Sequence, residues 1–286
     1  MPTFSTPEPI VATVEFEAGE ARITATDRTD TVVDVRPTDG TQEVDVRAAE
    51  QTRVEFADGR LRVMGPILRS AGLISRTGSI EVTIGLPAGS DLDASGGAAV
   101  FRVVGTLGTG AVRTGRGDVS LEEVGALTVT SSCGAIAVDR VGGDAVVSAG
   151  SGRIRLRELD GSALVKNSHG DIRIGTIRGE LRAQTDKGDI SVERAHTDVI
   201  AATACGDVRI EDVTRGRAAL KTAYGRIEVG IRSGTAARLT ARTVLGRVHN
   251  HLRSVDGPES TDETLELSAN TSLGDIVIRQ AESATV

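Results

Sequence analysis

A five-residue pattern recurs along most of this 286-residue chain and constrains its fold more than any other feature. The pattern is a glycine, any residue, Ile or Val, any residue, and an apolar residue. From Gly117 onward, successive pattern glycines are 17, 18, 18, 18, 18, 19, 21 and 28 residues apart. Four consecutive spacings of 18 indicate a structural repeat. The pattern glycines are Gly117, Gly134, Gly152, Gly170, Gly188, Gly206, Gly225, Gly246 and Gly274, with an early copy at Gly78.

Each repeat contains two short apolar–polar alternations, one before its glycine and one after it. Ala163 and Val165 precede Gly170, and Ile172 and Ile174 follow it. A period of two predicts strands, and a unit with two short strands cannot bury its apolar side alone. Stacked units share one core, with glycine supplying the positive φ of each corner. The sequence therefore predicts an all-β fold, a parallel β-solenoid with rungs of about 18 residues.

The sequence also bears on whether the coil is left-handed or right-handed. Eighteen residues equal three hexapeptides, which is the period of a left-handed triangular β-helix. That helix needs an aliphatic residue six positions beyond each inward Ile or Val. Asp160, Arg178 and His196 occupy such positions. We therefore expect a right-handed coil, in keeping with the usual hand of parallel crossovers.

The repeat divides the chain into two predicted regions. Residues 1–88 alternate without the 18-residue period and are expected to form an antiparallel β cap, because open sheet ends pair with other chains. Residues 89–286 are expected to form the solenoid. A linker is predicted at Pro66–Arg76, a polar loop at Val255–Thr264, and a last rung at Leu265–Ile278 before a polar tail. The strands predicted in the cap are Val11–Phe16, Ala21–Thr26, Thr31–Arg36, Glu43–Arg47, Thr52–Phe56 and Arg60–Met64.

Charge and composition argue against several functions. A formal net charge of −7 and only five aromatic residues, four Phe and one Tyr, are not those of a nucleic-acid binder, which needs a basic stripe and stacking platforms. No apolar run approaches the ~20 residues of a membrane helix. The first residues carry Glu8, Glu15 and Glu17 before any Arg, which is unlike a secretory leader. We therefore expect a cytoplasmic protein without a membrane or nucleic-acid partner, with unconventional export as the alternative.

The repeated Gly-Asp-Ile-x-Ile units resemble a bacterial family of β-strand-repeat proteins known as "putative adhesins" (domain of unknown function family 4097). The stretches 9–23, 31–37 and 269–278 are similar to actinobacterial members, and the resemblance covers nearly the whole chain. It implies a β-solenoid with no assigned chemistry, and it supplies no catalytic motif.

Arg155, Arg173 and Arg209 alternate with inward residues in three rungs and are predicted to share one outer face, interrupted by Ser191. We call these three residues the arginine row. Such a row can bind an acidic partner. It can also be a solvated face paired with Glu158, Glu193 or Glu211.

Asp171, Asp189 and Asp207 follow the glycine in three successive rungs and are predicted to stack about 5 Å apart. We call them the aspartate column. Their carboxylates could hold Ca²⁺, or each could accept N–H groups of its own turn, which is the interpretation we favour.

Other candidate residues favour neither a metal nor a disulfide. Cys133 and Cys205 are 72 residues apart, which is four rungs or roughly 19 Å, beyond the reach of a disulfide. His169 is two rungs from each cysteine, and His249 with His251 supplies only two ligands. No hydrolase, zinc-protease or phosphate-loop motif occurs, and we predict no catalytic residue and no cofactor.

Three functions remain open, in order of preference. The first is a non-enzymatic scaffold, monomeric or a small homo-oligomer, that presents a repeat face to a protein partner. The second is a self-assembling, adhesin-like structural protein whose rungs join end to end. The third is a carbohydrate-active β-helix enzyme.

Overall fold

The computed structural model describes residues 1–66, 78–252 and 263–281. Most of the linker predicted at Pro66–Arg76, of the loop at Val255–Thr264 and of the polar tail lies outside these residues. The chain divides into two compact units, Met1–Gly142 and Gly143–Val286. Both consist almost entirely of strands, which confirms the predicted all-β class.

Among its described residues, the first unit contains nine strands and one helix. Their bounds are β1 Thr3–Ser5, β2 Val11–Thr26, β3 Asp30–Pro37, α1 Glu43–Gln51, β4 Arg53–Ala57, β5 Arg60–Met64, β6 Ile80–Pro87, β7 Asp91–Arg116, β8 Val119–Cys133 and β9 Ile136–Val141.

Antiparallel and parallel pairing are combined in this unit. The antiparallel pairs are β1 with β3, β3 with β6 and β4 with β5, so they lie within the predicted cap. The strand β2 is different, because it pairs in parallel with β5 and β6 along one edge and with β7 along the other. Residues 11–26 therefore form one continuous solenoid rung rather than two cap strands. The domain boundary at residue 88 stays a prediction.

The helix α1 corrects the strand predicted at Glu43–Arg47. Its alternating Val44 and Val46 resemble a strand in sequence, but tertiary hydrogen bonds favour the helix. The carboxylate of the buried Asp45 accepts the backbone N–H groups of Asp39 at 3.1 Å and Ser79 at 2.8 Å. A carboxylate held by two backbone donors outweighs a weak local propensity.

In the part of the second unit that the structure describes, there are fourteen strands. Their bounds are β10 Ala145–Ser151, β11 Ile154–Leu159, β12 Ala163–His169, β13 Ile172–Ile177, β14 Leu181–Lys187, β15 Ile190–Ala195, β16 Val199–Cys205, β17 Val208–Val213, β18 Gly216–Tyr224, β19 Ile227–Ile231, β20 Thr235–Leu245, β21 Val248–Asn250, β22 Glu263–Leu273 and β23 Ile276–Gln280.

Parallel pairing in this unit follows the predicted 18-residue register. Ile154 lies opposite Ile172, Ile172 opposite Ile190, and Ile190 opposite Val208. The strands after each glycine form one wall, which we call wall 1, and the strands before each glycine form wall 2. From β10 to β19, the inward aliphatic side chains of both walls are at most 5% exposed. Burying such a side chain contributes roughly 1.5–3 kcal/mol, so the aliphatic ladders hold the coil together.

The glycine at each corner is required by both conformation and space. Gly188 has φ +143°, and a Cβ added to it would lie 2.2 Å from the carbonyl oxygen of Gly170 in the neighbouring rung. Gly206 repeats this geometry against Gly188. The pattern glycines therefore stack on one another at the corner, because the backbones of neighbouring rungs are in contact there.

The last rungs do not stack in chain order. The rung β22–β23 pairs with β18 and β19 on one edge and with β20 and β21 on the other. The rung Thr235–Asn250 is therefore outermost, and the final rung in sequence is inserted beneath it. The predicted last rung exists at Leu265–Ile278, but it is not the end of the stack.

Candidate functional site

The arginine row lies on the outer face of wall 1, as its alternation predicts. Arg155 is directly opposite Arg173 on the neighbouring strand, and Ser191 separates Arg173 from Arg209. All three arginines are exposed. Strands of one sheet lie about 4.8 Å apart, so Arg155 and Arg173 project their charges from adjacent positions.

Carboxylates near the arginine row neutralise it unevenly. Nε of Arg209 lies 3.5 Å from a carboxylate oxygen of Glu211, and Nη2 of Arg173 lies 3.9 Å from Asp171. Within the described parts of the chain, Arg155 has no carboxylate oxygen within 4 Å. Exposed pairs of this kind contribute little, about 0–1 kcal/mol. The row therefore keeps most of its positive charge at its Arg155 end.

Two further arginines enlarge that end of the row. Arg153 and Arg157 flank Arg155 with the same outward alternation, and both are exposed. We call Arg153, Arg155, Arg157 and Arg173 the arginine cluster. The sequence signal was the run Arg-Ile-Arg-Leu-Arg at 153–157, in which the arginines alternate along the chain from the corner into β11 and do not recur down the repeat columns.

The aspartate column is a ladder of side-chain to backbone hydrogen bonds between rungs. Oδ1 of Asp171 accepts the N–H of Asp189 at 3.2 Å, and Oδ1 of Asp189 accepts the N–H of Asp207 at 2.8 Å. Asp207 accepts the N–H of Arg226 at 2.7 Å in the same way. The donor thus belongs to the next rung, which differs from the predicted donor in the aspartate's own turn.

A second set of aspartates, at the opposite corner, also accepts backbone N–H groups of the next rung. Asp144 accepts the N–H of Ser162 at 2.9 Å, and Asp198 accepts the N–H of Arg217 at 2.8 Å. Both follow a pattern glycine by ten residues, and Ser162 and Glu180 occupy the two equivalent positions between them. This break in the column hid the set from sequence reasoning.

A polar ladder runs inside the corner, three residues before each glycine. Thr203 Oγ1 donates to the carbonyl oxygen of Gly188 at 3.0 Å, and Thr222 Oγ1 donates to that of Gly206 at 2.9 Å. Both threonines are buried. The hydroxyls of this column therefore satisfy carbonyl oxygens at the corner.

Cysteine and histidine side chains form no cluster in the described ranges. Cys133 and Cys205 are free and exposed. The rings of His249 and His251 stack with centroids 6.3 Å apart. Within residues 1–66, 78–252 and 263–281, no group of three acidic, His or Cys side chains is arranged to hold a metal ion.

The surroundings of His196 lower the pKa of its imidazole. Partial burial lowers the pKa of His196, and the positive charges of Arg232 and Arg178 lower it further. Asp212, which is ion-paired with Arg232, opposes this shift. His196 lies beside the bend of wall 1 and not in the arginine cluster.

Two open grooves border the outermost rung. One has a volume of about 790 Å³ and is lined at the start of β20 by Ala236, Arg238 and residues of neighbouring rungs. The other, of about 640 Å³, is lined at the end of β20 by Ala241, Arg242 and Val244. In the described part of the chain, no helix combines the length and apolar composition that would cross a bilayer.

Stacked rungs, glycine corners and polar ladders define a repeat protein of the parallel β-solenoid class. The chain belongs to the family described as Toastrack DUF4097, which matches residues 12–197 and is a domain of unknown function. A search of curated proteins finds no match.

Several solved structures are similar to this chain over most of its length. A "putative adhesin" from Bacteroides fragilis is 14% identical, with 97% of this chain and 95% of that chain covered and a TM-score of 0.41. A "putative lipid binding protein" from Parabacteroides distasonis is 10% identical, with 98% and 96% covered and a TM-score of 0.41. A "putative cell adhesion protein" from Clostridium sporogenes is 13% identical, with 98% of each chain covered and a TM-score of 0.27.

Proposed function

We propose that this chain is a non-enzymatic binding protein whose rigid solenoid presents the arginine row to an acidic protein partner. The observation that carries the proposal is the alignment of Arg155 with Arg173 on neighbouring strands. Like charges directly opposite each other in a sheet are destabilising. A partner's carboxylates would relieve that repulsion when they bind.

The surroundings of the row support a site for anions. The chain has a net charge of −7, so a cluster of four arginines on one face departs from the average surface. Guanidinium groups bind carboxylates through paired, charge-assisted hydrogen bonds. Because the arginines stand on paired strands, little backbone order is lost when a partner binds.

The proposal places the protein in the cytoplasm. Its support is the pair of free, exposed thiols at Cys133 and Cys205, which are typical of a reducing compartment. Fractionation of the native host tests this location. We expect the protein in the cytoplasmic fraction, and its recovery at the cell surface would contradict the proposed location.

Comparative affinity capture from the native host tests the binding function. The baits are the wild-type chain, the row variant Arg155→Ala/Arg173→Ala/Arg209→Ala, and a control variant Arg47→Ala/Arg182→Ala/Arg217→Ala. The control removes the same charge from exposed arginines that are already paired with Glu43, Glu180 and Glu266.

The expected result is a protein captured by the wild type and by the control variant but depleted about tenfold or more with the row variant. Equal capture by all three baits would contradict the assignment of the row. Turnover of a substrate by the purified chain, unaffected by loss of the row, would contradict the proposal of a binding protein.

A further inference from the structure

The outermost rung of the second unit has one open edge. Among the described residues, β20 pairs only with β22, and β21 pairs only with β23. Each strand from β12 to β19, in contrast, has a paired neighbour on both of its edges. The free edge therefore presents backbone N–H and C=O groups that further strand pairing can satisfy.

The interior of this rung is correspondingly uncovered. Leu239 is half-buried, whereas Leu267 opposite it is 1% exposed. Val248 is 44% exposed, whereas Ile276 opposite it is fully buried. At the corner, Val244 is 79% exposed. The rung thus offers an apolar surface of the kind that solenoid ends normally cover.

The charge of the rung indicates what covers it. Residues 235–252 contain Arg238, Arg242 and Arg247, two His and no acidic residue, in a chain with a net charge of −7. None of the three arginines is ion-paired within the described ranges. In the adjacent rung, Glu263 and Glu266 are engaged by Arg215 and Arg217, and Asp275 accepts the backbone N–H of Arg247 at 2.9 Å.

We propose that the open edge of β20 and β21 binds an acidic polypeptide segment in an extended conformation, which adds a strand to the solenoid. Strand addition supplies backbone hydrogen bonds, and alternate side chains of the segment supply carboxylates to the arginines and apolar contacts to the interior. This interaction goes beyond the proposed function, because it uses a different surface from the arginine row.

A second copy of the chain fits the edge less well. Two copies related by a twofold axis would pair β20 antiparallel with itself and place Arg238 and Arg242 opposite arginines of the other copy. Like-charge pairs of this kind are destabilising, and charged side chains on an edge oppose self-association.

The probe is a peptide of 11 residues, the length of β20, that alternates glutamate and valine. Fluorescence anisotropy measures its binding to the full chain, with a lysine–valine peptide as the charge control. Two further probes carry N-methyl groups at odd or at even positions, because only alternate N–H groups of a strand face one neighbour.

Several results together are expected. The glutamate peptide binds and the lysine peptide does not. Of the two N-methylated peptides, one does not bind and the other binds like the unmodified glutamate peptide. The variant Arg238→Glu/Arg242→Glu weakens binding about tenfold or more, and Arg238→Gln/Arg242→Gln weakens it less. Unchanged circular dichroism and melting show that both variants fold. The row variant binds the peptide like the wild type, so failure here and failure of the proposed function are distinguishable.

Other results would overturn the proposal. Equal binding of the glutamate and lysine peptides, or of both N-methyl registers, would exclude charge-matched strand addition. A dimer in sedimentation that dissociates in the Arg238→Glu/Arg242→Glu variant would assign the edge to a second copy. Binding that appears only after Asp256, Glu259 and Asp262 are replaced by Asn, Gln and Asn would assign it to the chain's own acidic residues.

Discussion

The backbone N–H of Asp207 donates to Oδ1 of Asp189 at 2.8 Å, so a side chain of one rung fixes the main chain of the next. The repeated aspartate after glycine thus has a defined structural task at the corner. Each carboxylate of the column thus links its own rung to the next through one hydrogen bond, which we call a clip, although Asp189 and Asp207 are exposed to solvent.

Loss of one clip should destabilise the coil modestly. We expect Asp189→Ala to lower the free energy of unfolding by about 1 kcal/mol, since one hydrogen bond to a charged acceptor is lost. Asp189→Asn keeps an acceptor and removes a like-charge neighbour, so it should stay within about 0.5 kcal/mol of wild type. Urea denaturation measures both. The exposed Asp186, mutated to Ala, is the control, and a loss equal to that of Asp189→Ala would contradict the role of the clip.

Substitution of a corner glycine should cost far more. A Cβ at residue 188 would lie 2.2 Å from the carbonyl oxygen of Gly170 at a backbone φ of +143°. We expect Gly188→Ala to lower the unfolding free energy by about 3 kcal/mol or more. Gly40→Ala is the matched control, because nothing lies within 4 Å of its added Cβ. Equal denaturation midpoints for both variants would be incompatible with rungs touching at the corner.

The inner polar ladder predicts opposite outcomes for two buried hydroxyls. Thr203→Val leaves the carbonyl of Gly188 without its side-chain donor and should cost about 1–2 kcal/mol. The hydroxyl of Ser131 is buried without a partner in the described structure. Ser131→Ala should therefore be neutral or stabilising. Thermal melting of both variants checks the contrast, which fails if Ser131→Ala is the more damaging change.

The lowered pKa of His196 predicts a pH-dependent loss of stability. An unfolded histidine titrates near about 6.5, whereas the folded side chain resists protonation. The unfolded chain therefore binds more protons as the pH falls below that value, and the folded state loses stability. His196→Gln should flatten this part of the profile between about pH 7.5 and 5. Identical pH profiles for variant and wild type would show that burial leaves the titration of His196 unperturbed.

The fold of the repeat region was largely predictable because its physical cause recurs in sequence. Each inward Ile and each glycine corner is repeated at a nearly constant distance along the sequence, and the registers confirm the stacking. The right-handed coil stays a prediction. In contrast, α1 depends on the contact of Asp45 with Asp39 and Ser79, which no local pattern encodes.

The order of the last rungs could not be predicted for a different reason. Every rung carries the same aliphatic ladder and can pair with any other, so sequence similarity identifies rungs but not their neighbours. The insertion of Leu265–Ile278 beneath Thr235–Asn250 is decided by packing between whole rungs. In the sequence, the spacing of 28 residues before Gly274 indicates that this part of the repeat is irregular, but it does not indicate which rungs are neighbours.

The candidate site was predicted in part. Alternation placed Arg155, Arg173 and Arg209 on one face, but their ion pairs depend on side-chain geometry. The place of Arg153 and Arg157 beside the row was not predicted, because both are neighbours of Arg155 along the chain and not equivalent residues of other rungs. The open edge with Arg238 and Arg242 became visible only when the strand pairing was known.

Site-specific photo-crosslinking in the native host tests the arginine row most directly. A photoreactive amino acid replaces Ser191, which lies between Arg173 and Arg209, or Gln184, which is exposed on the outer face of wall 2. The account predicts a crosslinked adduct from position 191 that disappears when Arg155, Arg173 and Arg209 are changed to Ala, and none from position 184. An adduct from position 184 alone, or one from position 191 that survives loss of the row, would contradict it.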